Sequence, residues 1–275
     1  MPDGSNHHRR VSFLTKLNSR WSATGSMLCV GLDPDVSRLP GAMNGRVDAI
    51  ADFCISIVDA TARYACAFKP QIAYFAAVGA ESQLQRVCDH IRTTHPDVPL
   101  ILDAKRGDIG DTAKLYAREA FDRYGADAVT VNPYLGTDSL EPFLSTAGRG
   151  VIVLCRTSNA GSGTFQSQNI DGRPLYEHVA QRAADEWSKM GEVGLVVGAT
   201  YPEELARVRS IVGDIPLLVP GVGAQGGDAA TVLRVGRASN GFGLIINSSR
   251  AILYASSGDD FAAAAASAAS TTLPN

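Results

Sequence analysis

A lysine lies between two carboxylates in the run Leu-Asp-Ala-Lys-Arg-Gly-Asp-Ile, where the residues are Asp103, Lys105 and Asp108. An ammonium group held beside carboxylates can stabilise negative charge developing on a substrate and then deliver a proton to it. The same charge makes it a poor amine nucleophile. Residues two apart on a strand project from one face, so Asp103 and Lys105 are predicted to stand side by side. Asp108 falls on the turn into the next helix. There it is either a third member of the charge array or a helix N-cap accepting from free backbone N–H groups, and spacing alone leaves both open.

Polar residues recur at the ends of other apolar runs. Asp33 follows the run 27–32 and Lys69 the run 65–68, while Asn132, the stretch 156–159, Thr200 and the stretch 247–250 end later ones. One such residue is ordinary capping; charges at the first three run ends together point to a shared mouth. After the seventh run comes Pro220-Gly221-Val222-Gly223-Ala224-Gln225, ahead of a helix predicted to begin near Asp228. Glycine lets backbone N–H groups approach phosphate oxygens, and a helix N-terminus adds a favourable dipole. Gln225 can donate through its amide and Arg250 can bind bidentately. Pro220, Gly221, Gln225 and Arg250 therefore form a candidate phosphate site.

The elements that must position these residues are short β-branched runs alternating with longer amphipathic stretches. The runs are 27–32, 65–68, 100–102, 128–131, 151–154, 193–197, 216–219 and 243–246. Segments 47–64, 81–94, 112–124 and 175–190 carry apolar residues at helical spacing. Strands buried on both faces and alternating with helices indicate a parallel sheet. Eight such units predict a closed (β/α)8 TIM barrel, whose chemistry sits at the carboxyl ends of the strands. The absence of an early G-x-G-x-x-G turn weighs against a Rossmann domain. An extra helix is predicted over 9–21, and an alanine-rich helix fraying into a disordered end over 261–274. The expected organisation is an N-terminal extension at 1–22, the barrel at 23–258 and a C-terminal helix and tail at 259–275. The stretch 156–172, rich in Ser, Gly, Asn and Gln, reads as an irregular binding loop or lid.

The chain has 275 residues, 45% hydrophobic and 19% charged, with a formal net charge of −3. That balance suits a globular enzyme and supplies no global positive field for nucleic acid or anionic membrane. Cys29, Cys54, Cys66, Cys88 and Cys155 are odd in number and form no C-x-x-C pair, as expected of reduced, buried thiols. The histidines show no H-x-x-H or H-E-x-x-H spacing, and His90, His95 and His178 lie away from strand ends, so no histidine-built metal site is expected. The N-terminal segment lacks the apolar core of a signal peptide. No stretch approaches the roughly 18 apolar residues of a membrane span. A cytoplasmic location is expected.

The run Asp103-Ala-Lys-Arg-Gly-Asp108-Ile-Gly-Asp-Thr112 resembles the orotidine 5'-phosphate decarboxylases, matching every fixed position of Asp-x-Lys-x-x-Asp-Ile-x-x-Thr. The resemblance extends from Gly31-Leu32-Asp33 through Phe68-Lys69-Pro70, the glycine-rich loop and Arg250, and so covers most of the chain. Phe-Lys-Pro-Gln-Ile-Ala and Cys-Arg-Thr-Ser-Asn look like the longer bacterial branch. One departure stands out: the eighth run ends Ile-Ile-Asn-Ser-Ser-Arg where many relatives have Val-Gly-Arg.

The resemblance implies a cofactor-free, metal-free conversion of orotidine 5'-phosphate to uridine 5'-phosphate in pyrimidine biosynthesis. It also implies a homodimer with its sites at the interface. Asp33 and Lys69 would hold the ribose hydroxyls, with Lys69 bracing Asp103, and Lys105 would protonate the ring carbon that loses carbon dioxide. Asp108 would enter from the partner subunit, with Thr112 nearby. Ser158 would read the pyrimidine amide edge, and Gln225 and Arg250 would grip the phosphate. Phosphate binding energy, spent far from the breaking bond, could close the loops 156–172 and 220–227. The nearest rival is a magnesium-dependent sugar-phosphate barrel of the hexulose-phosphate synthase or keto-gulonate-phosphate decarboxylase type, which shares the Asp-x-Lys-x-x-Asp frame. Lys69 weighs against it by repelling a cation. A Schiff-base aldolase and a non-catalytic nucleotide-binding barrel are more distant rivals.

Overall fold

Aliphatic and β-branched residues dominate the strands, and burial follows from that composition. In the computed structural model, which describes residues 11–222 and 228–273, the first strand β1 (Leu28–Leu32) is buried throughout, as are β2 (Ala67–Pro70) and β4 (Ala128–Val131). The others are β3 (Ile101–Arg106), β5 (Gly150–Arg156), β6 (Glu192–Val197), β7 (Leu217–Val219) and β8 (Leu244–Ser248). All pair in parallel, in the order β2-β1-β8-β7-β6-β5-β4-β3. Bridges Phe68–Leu100 and Gln71–Asp103 join the two ends of that order, so the sheet closes into a barrel. This is the expected (β/α)8 architecture, with helices on the outside.

Four strands run further than their apolar cores, β5 among them, which carries Arg156 opposite Val197. Polar Lys69, the segment from Asp103 to Arg106, and Asn247 with Ser248 all continue the ladder. Charged side chains therefore hang from strand, not loop. Regular pleating does not persist to the end of β3, however. Its register against β4 shifts between Leu102 and Arg106, and Lys105 has a φ of 45°. A non-glycine residue in the left-handed region is disfavoured by about 1–2 kcal/mol, so something must hold it. Thr130 of β4 does, accepting from the backbone N–H groups of Ala104 and Lys105 at 3.0 and 2.9 Å.

The first helix, α1 (Phe13–Thr24), is capped by Ser12 and ended by Gly25 at a φ of 66°. It ends later than the apolar spacing predicts, because the left-handed turn needs Gly25. Phe13, Leu17 and Trp21 lie along one stripe and are buried across the end where the strands begin. A Cβ on Gly150 would come within 2.3 Å of Phe13 Cδ1, so glycine there admits the ring. At the other terminus, Phe261–Thr271 is helical, with Ala265 and Ala269 buried.

The stretch after β5 is not irregular, contrary to expectation. It contains a 3-10 turn at Ala160–Ser162, a short helix at Gly163–Gln166 and a hairpin of Asn169–Ile170 with Arg173–Pro174. Arg156 organises it. Its buried guanidinium pairs with Glu204 at 2.6 Å, stacks over Tyr201 and donates to Ser162 and the Thr157 carbonyl. Arg156 is thereby committed to structure.

Candidate active site

Asp103, near the end of β3, is the hub of the site. Its Oδ2 accepts from Lys69 Nζ at 2.9 Å, and its Oδ1 from Lys105 Nζ at 2.7 Å and Thr130 Oγ1 at 2.9 Å. Thr130 thus spends one donor and two acceptor positions on this strand end, the full capacity of a hydroxyl. Lys69 and Asp103 are buried, whereas the Lys105 side chain remains 46% exposed at the mouth. Burial alone would raise the Asp103 carboxyl, but the charges of Lys69 and Lys105 outweigh it and hold the group well below the usual carboxylate range. Desolvation opposes the charge on Lys69 too; Asp103 and then Asp33 overcome it and push the ammonium above the usual lysine range. The result is a fixed ammonium–carboxylate–ammonium row. A metal ion at this carboxylate would meet two positive charges.

Asp33, Lys69 and Asp103 line a cavity of about 180 Å³ with Pro220, Gly221, Val222, Arg250 and the stretch Asn247–Ser249. Among the described residues, five buried side-chain polar atoms lack partners, and three of them lie at this end of the barrel: Asp33 Oδ1, Asn247 Oδ1 and Thr200 Oγ1; the others are Trp21 Nε1 and the Tyr124 hydroxyl. Leaving such atoms unpaired costs about 1–3 kcal/mol each unless a ligand or water supplies the bond. A larger cleft of about 590 Å³ lies outside the barrel, between the helices Gly110–Arg118 and Thr137–Leu144, and none of these atoms lines it. The mouth is therefore the better ligand site. Gly221 sits at a φ of 94°, a conformation suited to glycine. Arg250 is exposed and forms no ion pair among the described residues. Gly31 is required by close approach, since a Cβ there would stand 1.9 Å from Ser249 Oγ.

Tyr254 pins the Asp33 loop. Its hydroxyl accepts from Asp35 N at 2.6 Å and donates to the Asp33 carbonyl at 3.3 Å, while the Arg38 guanidinium stacks on the ring at 3.9 Å. Burial pushes the Tyr254 phenol up to about 12, so it stays a donor. Burial likewise pushes the nearby Cys29 thiol up to about 12, removing it as a nucleophile. All five cysteines are free and buried, as expected.

The predicted site residues fall into four groups. Asp33, Lys69, Asp103, Lys105, Pro220, Gly221 and Arg250 converge on one mouth. Ser158 packs against Gly198, where a Cβ would come within 2.7 Å of the Ser158 Cβ, so the loop after β5 lies close to the end of β6. Asp108 and Thr112 do not join the row within this chain. The capping role for Asp108 fails, because the helix begins at Gly110 after Ile109, and Asp108 Oδ1 accepts only from Ile109 N at 2.8 Å. Gln225 lies outside the described residues.

Two contributors were not anticipated from sequence. Thr130 is an ordinary strand former inside an apolar run, and only its inward register marks it. Tyr254 lies beyond the last strand, where an aromatic residue reads as core. His90 and His95, from the helix Glu81–Thr94 and its end, both place Nε2 2.7 Å from Asp59 Oδ1, in an arrangement that metal-motif spacing does not reveal.

Comparison with known proteins agrees with this geometry. A family model described as "Orotidine 5'-phosphate decarboxylase / HUMPS family" matches residues 26–266. The curated orotidine 5'-phosphate decarboxylase of Janthinobacterium sp. (strain Marseille) is 60% identical over 247 residues, which is 90% of this chain and 91% of that protein. That of Bordetella pertussis is 61% identical over 251 residues, 90% of this chain and 92% of that protein. The solved OMP decarboxylase of Leishmania donovani superposes with a TM-score of 0.81 at 41% identity, covering 93% of this chain and 94% of that one. The match runs from the approach to β1 into the last helix, and the chain belongs to the orotidine 5'-phosphate decarboxylase / HUMPS family.

Proposed function

We propose that this chain converts orotidine 5'-phosphate to uridine 5'-phosphate and carbon dioxide, with Lys105 as the proton donor and no metal or organic cofactor. One observation carries this: the Lys69–Asp103–Lys105 row at the barrel mouth, in a chain about 60% identical to curated proteins bearing that activity in their name. When the bond to the carboxylate breaks, its electron pair stays on the ring carbon. The Lys105 ammonium stabilises that charge as it grows and passes a proton to the carbon, then regains one from solvent. Asp103 orients Lys105 through the 2.7 Å contact, and Lys69 braces Asp103 from the other side. Asp33 and Lys69 take the ribose hydroxyls; the unpartnered Asp33 Oδ1 supports this role. Pro220, Gly221, Gln225 and Arg250 take the phosphate, and Ser158 the pyrimidine edge.

The working unit in this reading is a homodimer in which Asp108 and Thr112 complete the partner's site. Supporting it, Asp108 forms no hydrogen bond or ion pair with Lys105 in its own chain, and the apolar side chains of Ile109, Leu115 and Tyr134 are exposed. A cytoplasmic setting fits the free thiols, and no helix among the described residues is long and apolar enough to cross a membrane.

Loss of orotidylate absorbance with EDTA present tests the reaction. Undiminished turnover is expected; strict dependence on added magnesium would transfer the chain to the sugar-phosphate branch. Mixing inactive Lys105→Ala and Asp108→Ala chains tests sharing. Random re-pairing should restore about a quarter of the intact sites, whereas no recovery by stably mixed dimers would place Asp108 outside the shared site.

A further inference from the structure

Asp59, His90 and His95 form a second polar cluster at the far end of the barrel from Lys105. Asp59 lies near the end of the helix Ile50–Thr61, and His90 lies in the last turns of the helix Glu81–Thr94. Both helices end where the chain turns back to start the next strand. Five residues of helix would set His90 and His95 about 140° apart around the axis. They meet because His95 has left the helix, at φ −124° and ψ 57°. Their Nε2 atoms each stand 2.7 Å from Asp59 Oδ1, and the three ligand atoms lie within 4.8 Å of one another.

We propose that Asp59, His90 and His95 form a surface site for a divalent zinc ion. Two imidazole nitrogens and one carboxylate oxygen are the donor types that zinc takes. Bonds of about 2.0–2.2 Å to each would leave a fourth, outward position for water. The side chains are 22%, 20% and 48% exposed for His90, His95 and Asp59, so an ion reaches them and they can spread slightly to admit it. Thr94 Oγ1, 3.5 Å from His90 Nδ1, is placed to accept from that nitrogen once Nε2 binds metal, the outer contact that orients ligating histidines. Contacts from both ring Nε2 atoms to the one carboxylate oxygen already hold the three side chains together. An ion here ties two neighbouring helices together at the end where barrel residues serve stability. It binds the folded chain and so raises resistance to unfolding without touching the chemistry.

Zinc competition against a chromophoric chelator, on the full chain, tests the site. The expected result is one ion per chain and a higher unfolding midpoint with zinc. His90→Gln/His95→Gln should abolish both effects, and Asp59→Asn should weaken binding about tenfold or more. All variants should retain parent orotidylate turnover, which also confirms that they fold. His7→Gln/His8→Gln controls for the paired histidines near the N-terminus and should bind as the parent does. Absent binding, binding that survives His90→Gln/His95→Gln, or binding lost with His7 and His8 would overturn the proposal. Anomalous diffraction at the zinc edge gives an answer independent of any variant: a peak among the three side chains supports the site, and its absence at saturating zinc refutes it.

Discussion

Buried charge occurs at both ends of this barrel, but it is treated in opposite ways. Where the strands begin, Asp127 accepts from Lys16 Nζ at 2.7 Å and Leu100 N at 2.9 Å, and Arg149 donates to the carbonyls of Ala126 and Phe121. Arg209 binds four backbone carbonyls, those of Gly236, Gly213, Ile215 and Gly243. Helix α1 then covers this end. Where the strands finish, Asp103 is equally buried, yet it faces a cavity edged by the unpartnered Asp33 and Asn247 oxygens and by the exposed Arg250. The same residue types are closed off as structure at one end and left open for a substrate at the other. Unpartnered carboxylate and amide oxygens lining a cavity mark the mouth, whereas at the covered end the unpartnered atom is the Trp21 indole Nε1, packed within the buried stripe of α1.

The largest test of that contrast is Lys105→Ala. Turnover should fall by about 10⁴-fold or more, combining a lost proton donor and a lost charge, while the urea midpoint barely moves. Near-normal turnover would remove Lys105 from the chemistry. Asp127→Ala should do the reverse. It leaves Lys16 without its carboxylate and Leu100 N without its acceptor, and breaking a buried pair costs about 3–5 kcal/mol, read by urea unfolding, with turnover per folded molecule unchanged. A specific loss of turnover there would erase the difference between the ends. Arg250→Ala should raise KM about 10- to 100-fold, the equivalent of one charged hydrogen-bonding group, and change kcat less.

The smallest effect is in pH dependence. The folded-state carboxyl of Asp103 is held low, so its contribution to stability is complete above the unfolded carboxylate range, near pH 4, and fades as pH falls below it. Lys69 is held high, so its contribution is complete below the unfolded lysine range, near pH 10, and fades as pH rises through the raised value. Urea melts of the parent and Asp103→Asn should therefore differ most on the neutral plateau and converge toward pH 2. A gap that ignores pH would show that the row contributes packing and not charge.

Much of the mouth was legible because charges at the ends of apolar strands have few structural excuses. Asp33, Lys69 and Asp103 are such residues, and the eight-unit alternation is enough to bring them to one end. Thr130 was hidden because threonine belongs in strands on propensity alone. The left-handed turn at Lys105 was hidden because a hydroxyl on another strand sustains it. Asp108 was ambiguous because its cap role depends on where the helix starts, a boundary that sequence locates poorly. The histidine cluster was illegible for a topological reason: Asp59 comes from a different helix, 31 residues before His90.

The Tyr254 anchor has a consequence for synthesis. Asp35 leaves the ribosome 219 residues ahead of the hydroxyl that fixes it. Until then β1 also lacks its neighbour β8, so the nascent barrel carries two open strand edges, which invite wrong pairing. Lys69, Asp103 and Lys105 can meet early, but the Asp33 side of the site waits for nearly the whole chain. An arrested or truncated product ending before Tyr254 would hold the charged row without a finished pocket, making the last-made segment the one that licenses the first.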